Sequence, residues 1–163
     1  MRFYRFEVAK TGETQGEGFL QGIDEVGLDS KTFLSLVDPF ETLPNPYLDE
    51  PFGVKFFFTE EGLKKFMPHI NAFVKVLKPL GWSLLGFVLS EDDYAESVYH
   101  DAYQVAWTRD SLGPLGPGYP VEDAEELLSK PIITRRDVSL CARKSLQLTP
   151  RQLDSQRMTS CCS

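Results

Sequence analysis

Residues 54–77 read VKFFFTEEGLKKFMPHINAFVKVL, and this stretch decides the fold. Val54, Phe56 and Phe58 alternate with Lys55, Phe57 and Thr59, so one face of an extended segment is wholly apolar and the other nearly so. Apolar groups on both faces mark an interior strand. Thr59 suits a helix N-cap, since its hydroxyl can accept from an otherwise unpaired backbone N–H, and Glu60 and Glu61 then sit at the positive end of the helix dipole. Leu63, Phe66, Met67, Ile70, Phe73, Val74 and Leu77 recur at i, i+3, i+4, i+7 spacing, while Lys64, Lys65, Asn71, Lys75 and Lys78 fall between them. Pro68 removes one helical hydrogen bond, at a cost of about 3 kcal/mol in a regular interior. The stripe keeps its phase across Pro68, which predicts a kinked but continuous helix over 60–78.

Working outward, residues 2–9 alternate Tyr4, Phe6 and Val8 with Phe3, Arg5 and Glu7, a first strand with one face expected to be partly exposed. The glycines of 11–22 predict a loop. Ser30 is placed to cap a short helix carrying Phe33, Leu34, Leu36 and Val37, ended by Pro39. Prolines at 44, 46 and 51 make 41–53 an irregular connection. After Pro79 and Gly81 stop the long helix, 82–90 reads as a second buried strand, in which Gly86 marks a bulge or a close backbone approach. Residues 98–99 and 103–107 form a hairpin around His100-Asp101, 111–120 a loop, and 121–129 a short acidic helix.

Together these elements predict one α+β domain over 1–130, with a mainly antiparallel sheet of about four or five strands and one long kinked helix on a face. Strand, helix and strand over 54–90 are equally compatible with a right-handed parallel crossover. Beyond Pro131 the chain turns Arg-, Ser- and Gln-rich and holds no aromatic residue, so 131–163 is expected to be a basic, mobile tail or docking arm.

The net charge of −7 is unevenly spread: residues 1–129 carry 22 acidic and 10 basic side chains, and 130–163 carry 2 and 7. An acidic body disfavours nucleic acid and anionic membrane and favours basic partners. Cys141, Cys161 and Cys162 form neither a disulfide framework nor a metal-site spacing. The longest apolar run, 82–89, is too short to span a bilayer, and the N-terminal residues lack a signal-peptide pattern, so a cytoplasmic location is expected.

No phosphate-binding loop, zinc-protease, calcium-loop or nucleophile-elbow pattern occurs, and no cofactor is expected. Gly16, Gly18 and Gly22 miss the dinucleotide spacing. His69 and His100, with Glu91, Asp92 and Asp93, are chemically suited to a cation but have no ligand spacing, so no metal is expected. Tyr4-Arg5 on a first strand, Phe56-Phe57-Phe58-Thr59 opening a helix, and Tyr103-Gln104-Val105 on a late strand resemble ADP-ribosyltransferases. The resemblance implies an NAD-using enzyme with Arg5 and Thr59 around nicotinamide. Tyr103-Gln104-Val105 lacks that family's glutamate, for which Glu96 is the nearest substitute. Arg5 is also placed to pair with Glu7 or a neighbouring strand, and Thr59 to act simply as a cap.

Charge and size favour another reading, a small acidic binding or inhibitory protein of the immunity-protein or phage-inhibitor kind, acting on a basic protein partner. Asp49, Glu50, Glu60, Glu61, Glu91, Asp92 and Asp93 would steer association, and Tyr47, Tyr94 or Tyr99 would anchor it. The third reading is sequestration of a small ligand in an aromatic pocket lined by Phe57, Tyr103 and Trp107.

Overall fold

The computed structural model describes residues 1–10, 13–14, 18–45, 53–90, 97–108, 115 and 118–133. Nine consecutive residues of alternating bulk extend as β1 (Arg2–Lys10), and a two-residue strand, β2 (Glu13–Thr14), folds back on its end. Two short helices follow, α1 (Phe19–Gly22) and α2 (Ser30–Val37). The sequence centred on residues 54–77 then forms β3 (Val54–Thr59) and α3 (Glu60–Leu77), and the chain returns as β4 (Trp82–Ser90). A hairpin of β5 (Tyr99–His100) and β6 (Gln104–Thr108), the short β7 (Tyr119–Pro120) and a 3-10 turn at Ala124–Leu128 complete the described fold.

The strands lie in the order β5-β6-β3-β1-β4-β7, every pair antiparallel. The long strands are the four expected; of the short ones, β5 and β7 extend the edges and β2 pairs with the end of β1. Because β3 and β4 both run antiparallel to β1, they run parallel to each other with β1 slotted between them. Both topologies compatible with the sequence are thus present: a crossover from β3 through α3 to β4, in a sheet whose described strands all pair antiparallel.

Thr59 caps α3 by accepting from Gly62 N at 3.0 Å. All of the apolar stripe is buried except Met67, which is half-buried. The helix runs through Pro68 without interruption because that residue is on the solvent side, where the carbonyl it leaves unmatched can be hydrated. The stripe meets Tyr4, Phe6 and Val8 of β1, Phe58 of β3 and Leu84 and Val88 of β4 on one face of the sheet. Gly86 is the close approach the sequence allowed: a Cβ there would stand 2.5 Å from Leu127 Cδ1, so the 3-10 turn packs flush against β4.

Several local expectations are corrected. β1 has no exposed face, since it is central to the sheet and its second side packs in another core with Phe57, Phe87, Leu89, Trp107, Leu115 and Ile133. Asp29, not Ser30, caps α2, its carboxylate accepting from Lys31 N and Thr32 N, and those bonds hold its pKa low, led by the Thr32 hydroxyl. Residues 11–22 contain β2 and α1 rather than loop alone. Of residues 121–129, Ala124–Leu128 wind as a 3-10 turn capped by Asp123. The first residues of the anticipated tail are docked, Ile133 N donating to Val88 O at 2.7 Å; residues 134–163, with all three cysteines, lie outside the described part.

Candidate functional site

The seam between β1 and β4 is laddered along its whole length, from Arg2 opposite Ser90 to Lys10 opposite Trp82. The seam between β1 and β3 holds only two pairings, Phe3 with Thr59 and Tyr4 with Phe58. From Arg5 onward β1 stays with β4, while residues 54–57 of β3 stay with β6, so the sheet divides. A cavity of about 460 Å³ occupies the division. Its walls come from both sides of the sheet, Phe6 and Phe58 from the helix side and Phe57 from the other, with Phe56 between them in sequence. Phe19 of α1 and Phe40 of the 3-10 turn at Asp38–Phe40 close one side, their rings 5.2 Å apart. Leu43, Pro44 and Asn45 form the rim, where the Gln104 amide donates to Pro44 O.

Arg5 crosses the division. Only 6% exposed, it donates from Nε to Glu7 Oε1 at 2.8 Å and from Nη1 to the backbone carbonyl of Phe56 at 3.1 Å. That second bond spans the gap where a strand ladder has stopped. The guanidinium carbon sits 5.6 Å from the Phe57 ring centre. Two guanidinium nitrogens also lie 3.6 and 3.7 Å from where a Cβ on Gly18 would stand, so the residue before α1 is in ordinary contact range of Arg5. Arg5 borders the cavity whereas its counter-ion Glu7, 2% exposed, does not.

At the laddered end of the same seam, the β5–β6 turn clamps the start of α3. Thr59 donates from its backbone N–H to Tyr103 O at 3.0 Å and from its hydroxyl to Ala102 O at 2.6 Å. Gly62 presses so closely on this turn that a Cβ would lie 1.9 Å from Tyr103 O. Asp101 holds the turn together, accepting from Tyr103 N, Gln104 N and the Tyr99 hydroxyl. Partial burial works to raise the Asp101 pKa, but the bond from Tyr99, those two N–H groups and the charge of His100 outweigh it, so the carboxyl sits below its usual range. The same bond pushes the Tyr99 phenol up.

Of the residues singled out from the sequence, Arg5 and Phe57 line the cavity and Thr59 does not; its hydroxyl is occupied by the cap and by Ala102. Trp107 packs edge-on to Phe57 at 5.2 Å in the second core, and Tyr103 lies on the helix side beneath Lys65, so the aromatic trio does not share one pocket. Glu60 is exposed and paired with Lys64 at 2.6 Å, and Glu61 is exposed beside it. Tyr99 is half-buried, its ring 6.3 Å from Phe56. Tyr47, Asp49, Glu50, Glu91, Asp92, Asp93, Tyr94 and Glu96 lie outside the described residues. His69 sits by Phe40 on the helix side and His100 by Phe3 on the other, and no three metal-binding side chains gather among the described residues. No described helix is long and apolar enough to cross a membrane.

Sequence reasoning missed Phe19, Phe40, Gly18 and Gln104 as lining the same cavity as Arg5. The available signals were an aromatic residue directly after a glycine run and another directly after Pro39. Comparisons with protein families, with curated proteins and with solved structures find no match, so the cavity is read from its own chemistry.

Proposed function

We propose that the protein binds a small apolar ligand in the cavity between β1 and β3. The observation carrying this reading is the divided seam itself: a space of about 460 Å³ walled by phenylalanines and reached by a few polar groups, Arg5, Gln21, Asn45 and Gln104. Binding sites for small molecules have this size and this mixture of apolar wall and sparse polar contacts. The reading is tested with the neutral dye N-phenyl-1-naphthylamine, whose fluorescence rises in an apolar pocket. The wild type is expected to bind it saturably at one site, and Leu43→Trp, which fills the rim, to weaken binding at least tenfold, about 1.4 kcal/mol. Equal binding by both proteins would remove the cavity as the site.

A second reading, an acidic binding or inhibitory protein for a basic partner, is favoured by the turn around Ala124–Leu128. There Glu122, Asp123, Glu125 and Glu126 are all exposed, with Lys78 paired to Glu122 and Lys130 to Glu126 among the described residues. Association with a basic protein would then slow steeply with added salt while dissociation changed little. Salt-independent association would dispose of it.

A further inference from the structure

We infer that the ligand is a neutral, apolar small molecule carrying a secondary amide, which bridges the interrupted ladder by bonding the backbone edges of β1 and β3 at Phe6 and Phe56; this rests on the cavity being the binding site. The direction of each backbone group follows from the register. β4 turns Leu84 O and Val88 O outward, to Val121 N and Ile133 N, so its odd-numbered residues bond β1. Their partners there are Phe3, Arg5, Glu7 and Ala9, and the even-numbered residues of β1 therefore turn N–H and C=O the other way, toward β3. In β3 the Thr59 N–H goes to Tyr103 O beside β6, so the even-numbered residues of β3 face β1. Tyr4 opposite Phe58 is such a pair, and the next would be Phe6 with Phe56. That pair does not form; the Phe56 carbonyl accepts from Arg5 instead.

Phe6 is 1% exposed, and both residues border the cavity. A buried backbone N–H or C=O facing an apolar space is costly, and nearly all such groups in folded proteins find a partner. The phenylalanine rings around the space supply none, and the Gln21 and Gln104 side chains bond Gly18 and Pro44. A trans secondary amide points its N–H and its C=O in opposite directions, one toward each strand, and carries no charge into the rings. The opening suits a small molecule and not a long inserted strand. β2 already pairs with Ala9 and Lys10 on this edge of β1, so only positions 5–8 lie between the two pairings.

N-benzylbenzamide and benzyl benzoate, closely alike in shape, discriminate this chemistry when each displaces N-phenyl-1-naphthylamine. The ester lacks the N–H and is the more apolar of the two, so burial alone favours it. With the backbone bonds made, the amide is expected to displace the dye about tenfold more effectively. The bond itself is read from the amide protons of isotope-labelled protein. That of Phe6 or of Phe56, whichever meets the ligand carbonyl, should move downfield and exchange more slowly when N-benzylbenzamide binds. An ester as effective as the amide, or binding of the amide that leaves both protons unchanged, would overturn the amide assignment while leaving the cavity as a binding site. Failure of the dye to bind at all would overturn both.

Discussion

The two seams of β1 make opposite use of the same strand. Against β4 the backbone supplies the bonding along the whole length, and side chains only fill the two cores. Against β3 the backbone gives out after Tyr4, and side chains take over: Arg5 reaches to the Phe56 carbonyl, and α1 and the Leu43–Asn45 rim shelter what the ladder no longer closes. A regular ladder has no room for a ligand. The side-chain seam leaves a space and places a charge beside it, so the less regular seam is where recognition chemistry is expected.

The contrast can be broken hardest at Arg5. Arg5→Ala would leave Glu7 buried without its counter-ion, a loss expected to be about 3–5 kcal/mol in urea unfolding. R5M/E7L should recover most of that stability, because two apolar side chains suit the second core around Phe57 and Phe87. If both variants are equally destabilised, Arg5 supports the seam through its bond to Phe56 O and not through the ion pair.

Two glycines sharpen the comparison next. Gly62→Ala meets the rigid backbone of the β5–β6 turn and should cost about 3 kcal/mol, loosening the clamp at the closed end of the β1–β3 seam. Gly86→Ala, on the fully laddered β4, meets only side-chain tips of Leu127 and Val121, which can move, and about 1–2 kcal/mol is expected. Thermal unfolding ranks the pair, and the reverse order would show the clamp to be the softer contact.

The smallest effect belongs to Asp101. Its folded pKa is depressed, so its contribution to stability is present above the ordinary Asp value of about 3.9 and lost as pH falls through the lower folded value. Asp101→Asn should therefore destabilise at neutral pH by about 1 kcal/mol and converge with wild type in acid. A difference independent of pH would place the effect in packing and not in the carboxylate.

Much of the architecture was legible because it is written at short range. The α3 stripe and the alternation in β3 depend on neighbours within one or two turns, and the residues concerned are where those periods put them. The cap at Thr59 was legible for the same reason. The site was not, since the division of the sheet depends on which partner β1 follows after Tyr4, a choice settled by residues some fifty and eighty positions away. Arg5 could be seen as a candidate and as a partner for Glu7, but nothing local says that Phe19 and Phe40 line the same cavity. Gly62 offered an unused clue: a glycine in the first turn of a well-capped helix is costly unless another backbone needs the room.

Placing the first strand at the heart of the sheet has a consequence for how the molecule is made. As the chain emerges from a ribosome, Arg2–Lys10 has neither long neighbour until Val54–Thr59 and then Trp82–Ser90 have followed it out, so its apolar side chains must wait unsheltered. Trimming those few residues would not fray a border; it would pull the keystone from between two strands that do not pair with each other.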